Sequence, residues 1–325
     1  MHTKWAVLGV LLYFSLFEII EGSRGDQNVD YIECVQKCRT KLNCSKRLST
    51  FDWVHGECFW CRYDCMWEAI EFFETNVGII PQFHGKWPFL AIPLPFGLVI
   101  QDPASTVASL LNFVTFYMMG KRIWNIQGLQ NRKMWLTYSV IGLATWLCST
   151  VFHMADCDLT EKLDYFGAFG FILTANYCSV VFSMPDLSNF RPGRYLRTFL
   201  KYLHLFAFAH HVKVMTQDFD YGYNMGCCIV MSMLTSILYI RYLWRKKKYH
   251  GELDHSDWQL IFMLIWTNSA TALDLMDFVP IFWLVDSHAL FHFATIPIPI
   301  WWAQYLESMH AAQFPKNSKE QIKIA

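Results

Sequence analysis

The sequence predicts an all-α membrane protein in which seven transmembrane helices follow a small, disulfide-rich N-terminal lumenal segment. Three observations lead there: a short apolar leader, six cysteines crowded into the stretch behind it, and seven apolar runs whose connecting loops alternate in charge. At 54% apolar and 17% aromatic residues the composition lies above soluble norms, and the excess sits in long runs. The formal net charge of zero gives no sign of a nucleic-acid partner.

Residues 1–22 read as a secretory signal peptide. Lys4 supplies a small positive start, Trp5 to Phe17 form an uncharged core too short to span a bilayer, and Glu21, Gly22 and Ser23 offer a polar, small-residue cleavage region. The chain beyond it would enter the lumen. Residues 23–95 then form the lumenal segment, carrying Cys34, Cys38, Cys44, Cys58, Cys61 and Cys65. An even number of cysteines behind a signal peptide predicts three disulfides in an oxidising compartment, with their connectivity open. A zinc knuckle on Cys58-x-x-Cys61 is the competing arrangement. Asn43-Cys44-Ser45 is a glycosylation sequon, which fits lumenal exposure.

After Pro95 the character changes, and residues 96–310 predict the seven-helix domain. Apolar windows of spanning length centre on 102–119, 134–153, 163–184, 196–214, 221–243, 257–275 and 285–306. Two of them are interrupted, one by Lys201, His204, His210 and His211, the other by Asp274. The loops 121–133, 191–197 and 241–248 are basic, whereas 153–162, 216–224 and 274–286 are acidic or mixed. Positive charge marks the cytoplasmic side, so the basic loops agree with a lumenal N-terminus and make residues 311–325 a cytoplasmic tail.

On that map several polar residues gather at the lumenal ends. Ser149 and His153 lie four apart near the end of the second helix, Asp164 lies one turn inside the third, and His288 and His292 lie four apart at the start of the seventh. Each has an ordinary reading: a histidine bonded to a neighbouring helix, a serine satisfying its own backbone, an aspartate capping a helix. Together they match a catalytic zinc site, with three imidazole ligands, an open position for water, a carboxylate for the proton and a hydroxyl for the oxyanion. Asp274 and Asp277 are placed to hold a ligand imidazole from behind. His204, His210 and His211 read as polar contacts, since adjacent histidines point to different faces. No G-x-S-x-G elbow or phosphate-binding loop occurs.

The pattern Ser149-x-x-x-His153, Asp164, His288-x-x-x-His292 resembles the shared motif of a seven-helix membrane hydrolase superfamily that includes alkaline ceramidases and the progestin and adiponectin receptors. Within it, the stretches 82–89, 101–105, 149–166, 219–225 and 273–292, together with the six-cysteine segment, are similar to the post-GPI attachment to proteins factor 3 family. The resemblance implies a zinc-dependent enzyme of the Golgi or endoplasmic reticulum membrane. Its substrates would be GPI-anchored proteins, from whose phosphatidylinositol it would remove the unsaturated sn-2 acyl chain. It implies Asp164 and Ser149 as catalytic residues and His153, His288 and His292 as zinc ligands. The family's lysine-bearing retrieval signal is not clearly present, as the tail KEQIKIA has Lys323 without an adjacent lysine pair. Two other functions fit the same motif: a ceramidase-like amidase, and a non-catalytic receptor or scaffold on the same fold.

Overall fold

The computed structural model describes residues 23–184 and 191–313. The leader, and with it the expected cleavage near Gly22, lies outside the described residues, as does most of the tail. Two compact units emerge. The first runs to Gln101 and takes back Val279–Trp283; the second comprises Asp102–Phe278 and the chain from Leu284 onward.

The first unit is built on an antiparallel helix pair, α1 (Val29–Leu42) and α2 (Gly56–Asn76). Asn28 starts α1 by accepting from the Tyr31 amide at 2.8 Å, and Asn43 ends it in the left-handed region at φ 55°, a conformation Asn tolerates better than most residues. Cys34 and Cys38 lie one turn apart on α1, and Cys61 and Cys65 one turn apart on α2. In antiparallel helices this spacing allows two rungs, and the structure makes them: Cys34–Cys65 and Cys38–Cys61, with Cys44–Cys58 closing the turn end. The three bonds are nested. Every sulfur that a zinc knuckle would need is therefore in a disulfide. Around them pack Tyr31, Val35, Trp53, Ala69, Ile70 and Phe83. A two-stranded antiparallel hairpin comes next, β1 (Ile92–Pro93) with β2 (Val99–Ile100). The returning segment joins the same core: Trp283 packs edge-on against Trp67 with centroids 5.0 Å apart, and its carbonyl accepts from the Leu90 amide at 2.8 Å.

The second unit is helical: α3 (Pro103–Asn125), α4 (Arg132–Met154), α5 (Asp158–Ser183), α6 (Arg191–Gln217), α7 (Tyr221–His250), α8 (His255–Asp274), α9 (Ser287–Thr295) and α10 (Ile298–Gln313). The first six of these overlap the first six apolar windows. The seventh window breaks into α9 and α10, because Pro297 lacks the N–H that an unbroken helix would need there. Among the described residues, α4, α5 and α7 are long and apolar enough to cross a membrane. The interrupting charges lie on α6 and α8, and the last window is divided; length and composition mark three spans where the windows predict seven.

α4 packs against both α3 and α5, α5 against α7, and α3 against α9 and α10. Gly142 lets α3 and α4 approach: a Cβ there would collide with the Phe116 ring. The apolar core of this unit holds Phe116, Met119, Trp135, Tyr138, Leu260 and Trp302.

Candidate metal centre

Three helix ends assemble the site. Asp286 caps α9, its carboxylate accepting from the Ala289 amide at 2.7 Å, so His288 and His292 fall in successive turns on one face. Asp102 caps α3 in the same way, accepting from the Ser105 amide at 3.1 Å, with Pro103 behind it at the first helical position. His153 lies in the last turn of α4. These elements meet so that one nitrogen from each of His153, His288 and His292 lies within 4.8 Å of the others. Ring centroids are 4.4 Å apart for His288 and His292, 5.0 Å for His153 and His292, and 5.4 Å for His153 and His288.

The back of the cluster is as ordered as the front. His153 Nδ1 lies 3.0 Å from Asp102 Oδ2, and His288 Nδ1 lies 2.7 Å from Asp274 Oδ1. A carboxylate only accepts, so each Nδ1 carries the proton and donates, which leaves the Nε2 lone pair facing inward. The Asp102 amide also donates to the His153 carbonyl at 3.0 Å, tying the two helix ends by backbone as well. Asn112 anchors α9 by donating to the His292 carbonyl at 2.8 Å.

The front is only partly satisfied. His153 Nε2 is buried without a hydrogen-bond partner, and so is His292 Nδ1. His292 Nε2 stands 2.8 Å from His288 Nε2. With His288 Nδ1 donating to Asp274, two ring nitrogens at that distance face each other with one proton at most between them. Orphaned, converging imidazole nitrogens backed by carboxylates are a donor set that a divalent cation satisfies and apolar surroundings do not. The residues fit zinc.

Of the other residues expected at the site, Ser149 is buried one turn before His153, its hydroxyl 3.1 Å from that of Ser109 on α3. Asp164 is half-buried near the start of α5, and its carboxylate acts electrostatically on His288. Asp274 clamps His288, whereas Asp277 is exposed in the turn after it at φ 38°. The histidines on α6 take no part in the cluster. His211 is stacked on Phe169 and bonded to Asn224 Oδ1 at 3.0 Å, and His204 bonds Asn176 Oδ1 at 3.0 Å. Sequence reasoning missed Asp102, Ser109 and Asn112. For Asp102 a signal existed, since Asp-Pro ahead of an apolar run marks a helix start.

The Per1-like family model matches residues 47–309. This chain belongs to the Per1-like family. The protein named GPI-specific phospholipase A2-like PGAP3 of Xenopus tropicalis is 32% identical over 314 residues, covering 91% of this chain and 93% of its own. The human protein of that name is 30% identical over 322 residues, covering 94% and 95%. A Schizosaccharomyces pombe relative, named Protein PER1 homolog, is 33% identical over 300 residues, covering 87% and 86%. No solved structure matches the chain. Asp102 and all five motif residues lie inside the region the family model matches.

Proposed function

We propose that this chain is a zinc-dependent acyl hydrolase of GPI-anchor remodelling. It removes the unsaturated sn-2 acyl chain from the phosphatidylinositol of GPI-anchored proteins, in the Golgi or endoplasmic reticulum membrane. One observation carries the reading: three imidazoles whose ring nitrogens converge, with His153 Nε2 left unpartnered and two of the rings held from behind by carboxylates, in a chain whose relatives are named as phospholipase A2-like.

His153, His288 and His292 would hold Zn²⁺, which when bound supplies a Lewis acid and water reactive near neutral pH. The protein does the rest. Asp102 and Asp274 fix the tautomer and direction of two ligand rings, so no reorganisation is needed when the ester arrives. Asp164 takes the proton that the attacking water loses. Ser149 donates to the oxygen that gains charge as the ester carbonyl becomes tetrahedral. The water oxygen bonds to the carbonyl carbon, the bond to the sn-2 oxygen breaks, and the proton passes to that leaving oxygen. A fatty acid and a lyso-anchor depart.

The membrane topology belongs to the same proposal. α3 to α8 make six crossings, and α9 with α10 makes the seventh, so that the basic loops face the cytoplasm and the disulfide unit faces the lumen. Asn43 is exposed at the end of α1, where a glycan has room. Glycosidase treatment should increase the protein's mobility, and Asn43→Gln should abolish the change; an Asn43→Gln protein that still shifts would move the glycan elsewhere.

The decisive experiment reads lipids. Cells lacking this protein should keep unsaturated chains on their GPI anchors, and the wild type should restore saturated ones. His153→Ala or Asp164→Ala protein at equal abundance should not. Full restoration by either variant would overturn the hydrolase reading and favour a scaffold.

A further inference from the structure

The first unit exposes apolar side chains that its own core does not use. From Trp87 to Gln101 the chain carries no charged residue, and neither does the returning segment Val279–Trp283. Phe96, at the turn of the β1–β2 hairpin, is 99% exposed, and Phe282, in the returning segment, is 84% exposed. Ile92, Leu98 and Ile281 on the same two segments are exposed as well. The backbone holds the two rings out: Phe96 and Phe282 have φ of 64° and 56°, in the left-handed region that residues other than Gly, Asn and Asp rarely adopt. Such conformations persist only where their surroundings enforce them, and they cluster at functional places.

The backbone of these segments suits a medium poor in water. Pro93, Pro95 and Pro280 have no N–H to satisfy. The Leu94 amide donates to the Leu98 carbonyl at 2.8 Å, the Ala91 amide to the Tyr63 hydroxyl at 3.1 Å, and the Trp283 amide to the Pro280 carbonyl at 3.1 Å. The Leu90 amide, bonded to the Trp283 carbonyl, pins the two segments to each other. Both run straight into helix starts. Ile100 is three residues before Pro103, where α3 begins, and Trp283 is four before Ser287, where α9 begins. Fully extended chain covers about 3.5 Å per residue, so these tethers reach no further than roughly 10 and 14 Å.

We propose that the hairpin and the returning segment rest in the lumenal leaflet, with Phe96 and Phe282 inserted among phospholipids where head groups meet acyl chains. This rests on the reading above that α3 and α9 open at the lumenal membrane surface; a segment tethered that closely to such helix starts meets lipid first. The shape of the surface also selects lipid. Phe96 projects alone, with almost no area against its own chain, whereas aromatic anchors of protein interfaces sit in packed clusters that match a pocket. A fluid bilayer closes around a projecting ring without matching it. The depth is limited, because strands of two residues leave backbone groups that hydrocarbon could not satisfy, so insertion stops at the interface. The disulfide unit is thereby held against the leaflet that carries the substrate's acyl chains and does not hang free in the lumen.

The test uses the full-length protein in phosphatidylcholine nanodiscs, with the photoreactive residue p-benzoylphenylalanine in place of Phe96, Phe282, Phe51 or Val140, one at a time. At Phe96 and Phe282 it replaces an exposed ring, so no packing is lost. Irradiation should attach phosphatidylcholine at these two positions about fivefold more than at Phe51. Phe51 is the control within the same unit, 61% exposed but followed by Asp52. Val140, exposed on the apolar helix α4, reports the spanning helices separately. Lipid adducts at Val140, with Phe96 and Phe282 no higher than Phe51, would overturn the insertion and leave the topology standing. No adduct at Val140 would remove the topology and the insertion with it. Cross-links from Phe96 to a second copy of the chain, or in cell membranes to a GPI-anchored protein, in place of lipid would give the surface to a protein partner and overturn the proposal.

Discussion

The two units solve the problem of staying folded in opposite ways. In the first, three nested disulfides join two helices, and the buried side chains among the described residues are apolar or cystine, from Tyr31 and Trp53 to Ile70 and Phe83. In the second, Asp102, Ser109, Asn112, Ser149, His153, Asn176, His211, Asn224, Asp257 and His292 are all buried, while Leu110, Val140, Phe199, Ile237 and Ile265 point outward. An interior with this many Ser, Asn and His, and an exterior of Leu, Val and Ile, is what helices acquire when their solvent is lipid. The first unit compensates for a small core with covalent bonds. The second holds its shape through polar contacts between helices, and those contacts help to bring His153, His288 and His292 together.

The contrast can be broken from both sides, and this gives the largest effect. Removing a native disulfide from a small domain typically costs about 2–5 kcal/mol. In a Cys38→Ala/Cys61→Ala protein, limited proteolysis should open residues 29–76 while the helical unit still retains zinc. In a His288→Ala/His292→Ala protein, zinc should fall from about one per chain to none while residues 29–76 keep their wild-type protection. Stoichiometric zinc in the double histidine variant would remove the metal assignment. Unchanged proteolysis in the cysteine variant would show that the apolar packing suffices without that rung.

A smaller effect sharpens the second side. Asp102→Asn keeps a carboxamide oxygen to cap α3 but removes the charge behind His153. Replacing a group behind a metal ligand typically lowers metal affinity or activity by about 10–100-fold. Zinc affinity measured by competition with a chelator should fall in that range for Asp102→Asn and Asp274→Asn. Asp277→Asn should leave it unchanged, because the contact to His288 is made by Asp274. Equal losses at Asp274 and Asp277 would mean that general acidity near the site matters, and the specific clamps do not.

The sequence makes some of this legible and hides the rest for physical reasons. Apolar runs and charged loops are local, and so the helices of the second unit overlap the windows drawn from them. The pairs His288/His292 and Ser149/His153 are also local, each one helical turn, and the structure brings the three histidines together. The break at Pro297 comes from proline chemistry, with Pro299 close behind it, yet a window average passes over it. Disulfide pairing depends on α1 and α2 running antiparallel, which six cysteine positions leave open. The clamp of Asp102 on His153 joins residues 51 apart on different helices, and no period in the sequence reports it. The return of Trp283 to the Trp67 core is longer still, and the loop around it reads as an ordinary connection.

The smallest effect belongs to the first unit, where Tyr31 is the buried phenol among the described residues. Burial pushes Tyr31 up to about 12; the Arg62 charge opposes that shift and the Asp26 carboxylate adds to it. The unfolded phenol titrates near 10, so between about pH 10 and pH 12 the native chain keeps a proton that the unfolded chain has lost. The contribution is fully present below pH 10 and drains away as pH rises, amounting to roughly 0.8 kcal/mol lost at about pH 10.5. Tyr31→Phe should change stability little at pH 7, since the hydroxyl's contact with His84 Nε2 is long at 3.4 Å. Difference absorbance near 295 nm between wild type and Tyr31→Phe isolates that one phenol. If it deprotonates near 12, the first unit excludes water from its core as the disulfide-braced apolar packing requires. A midpoint near 10 would mean that water reaches Tyr31, and that the three disulfides hold together a core looser than its packing indicates.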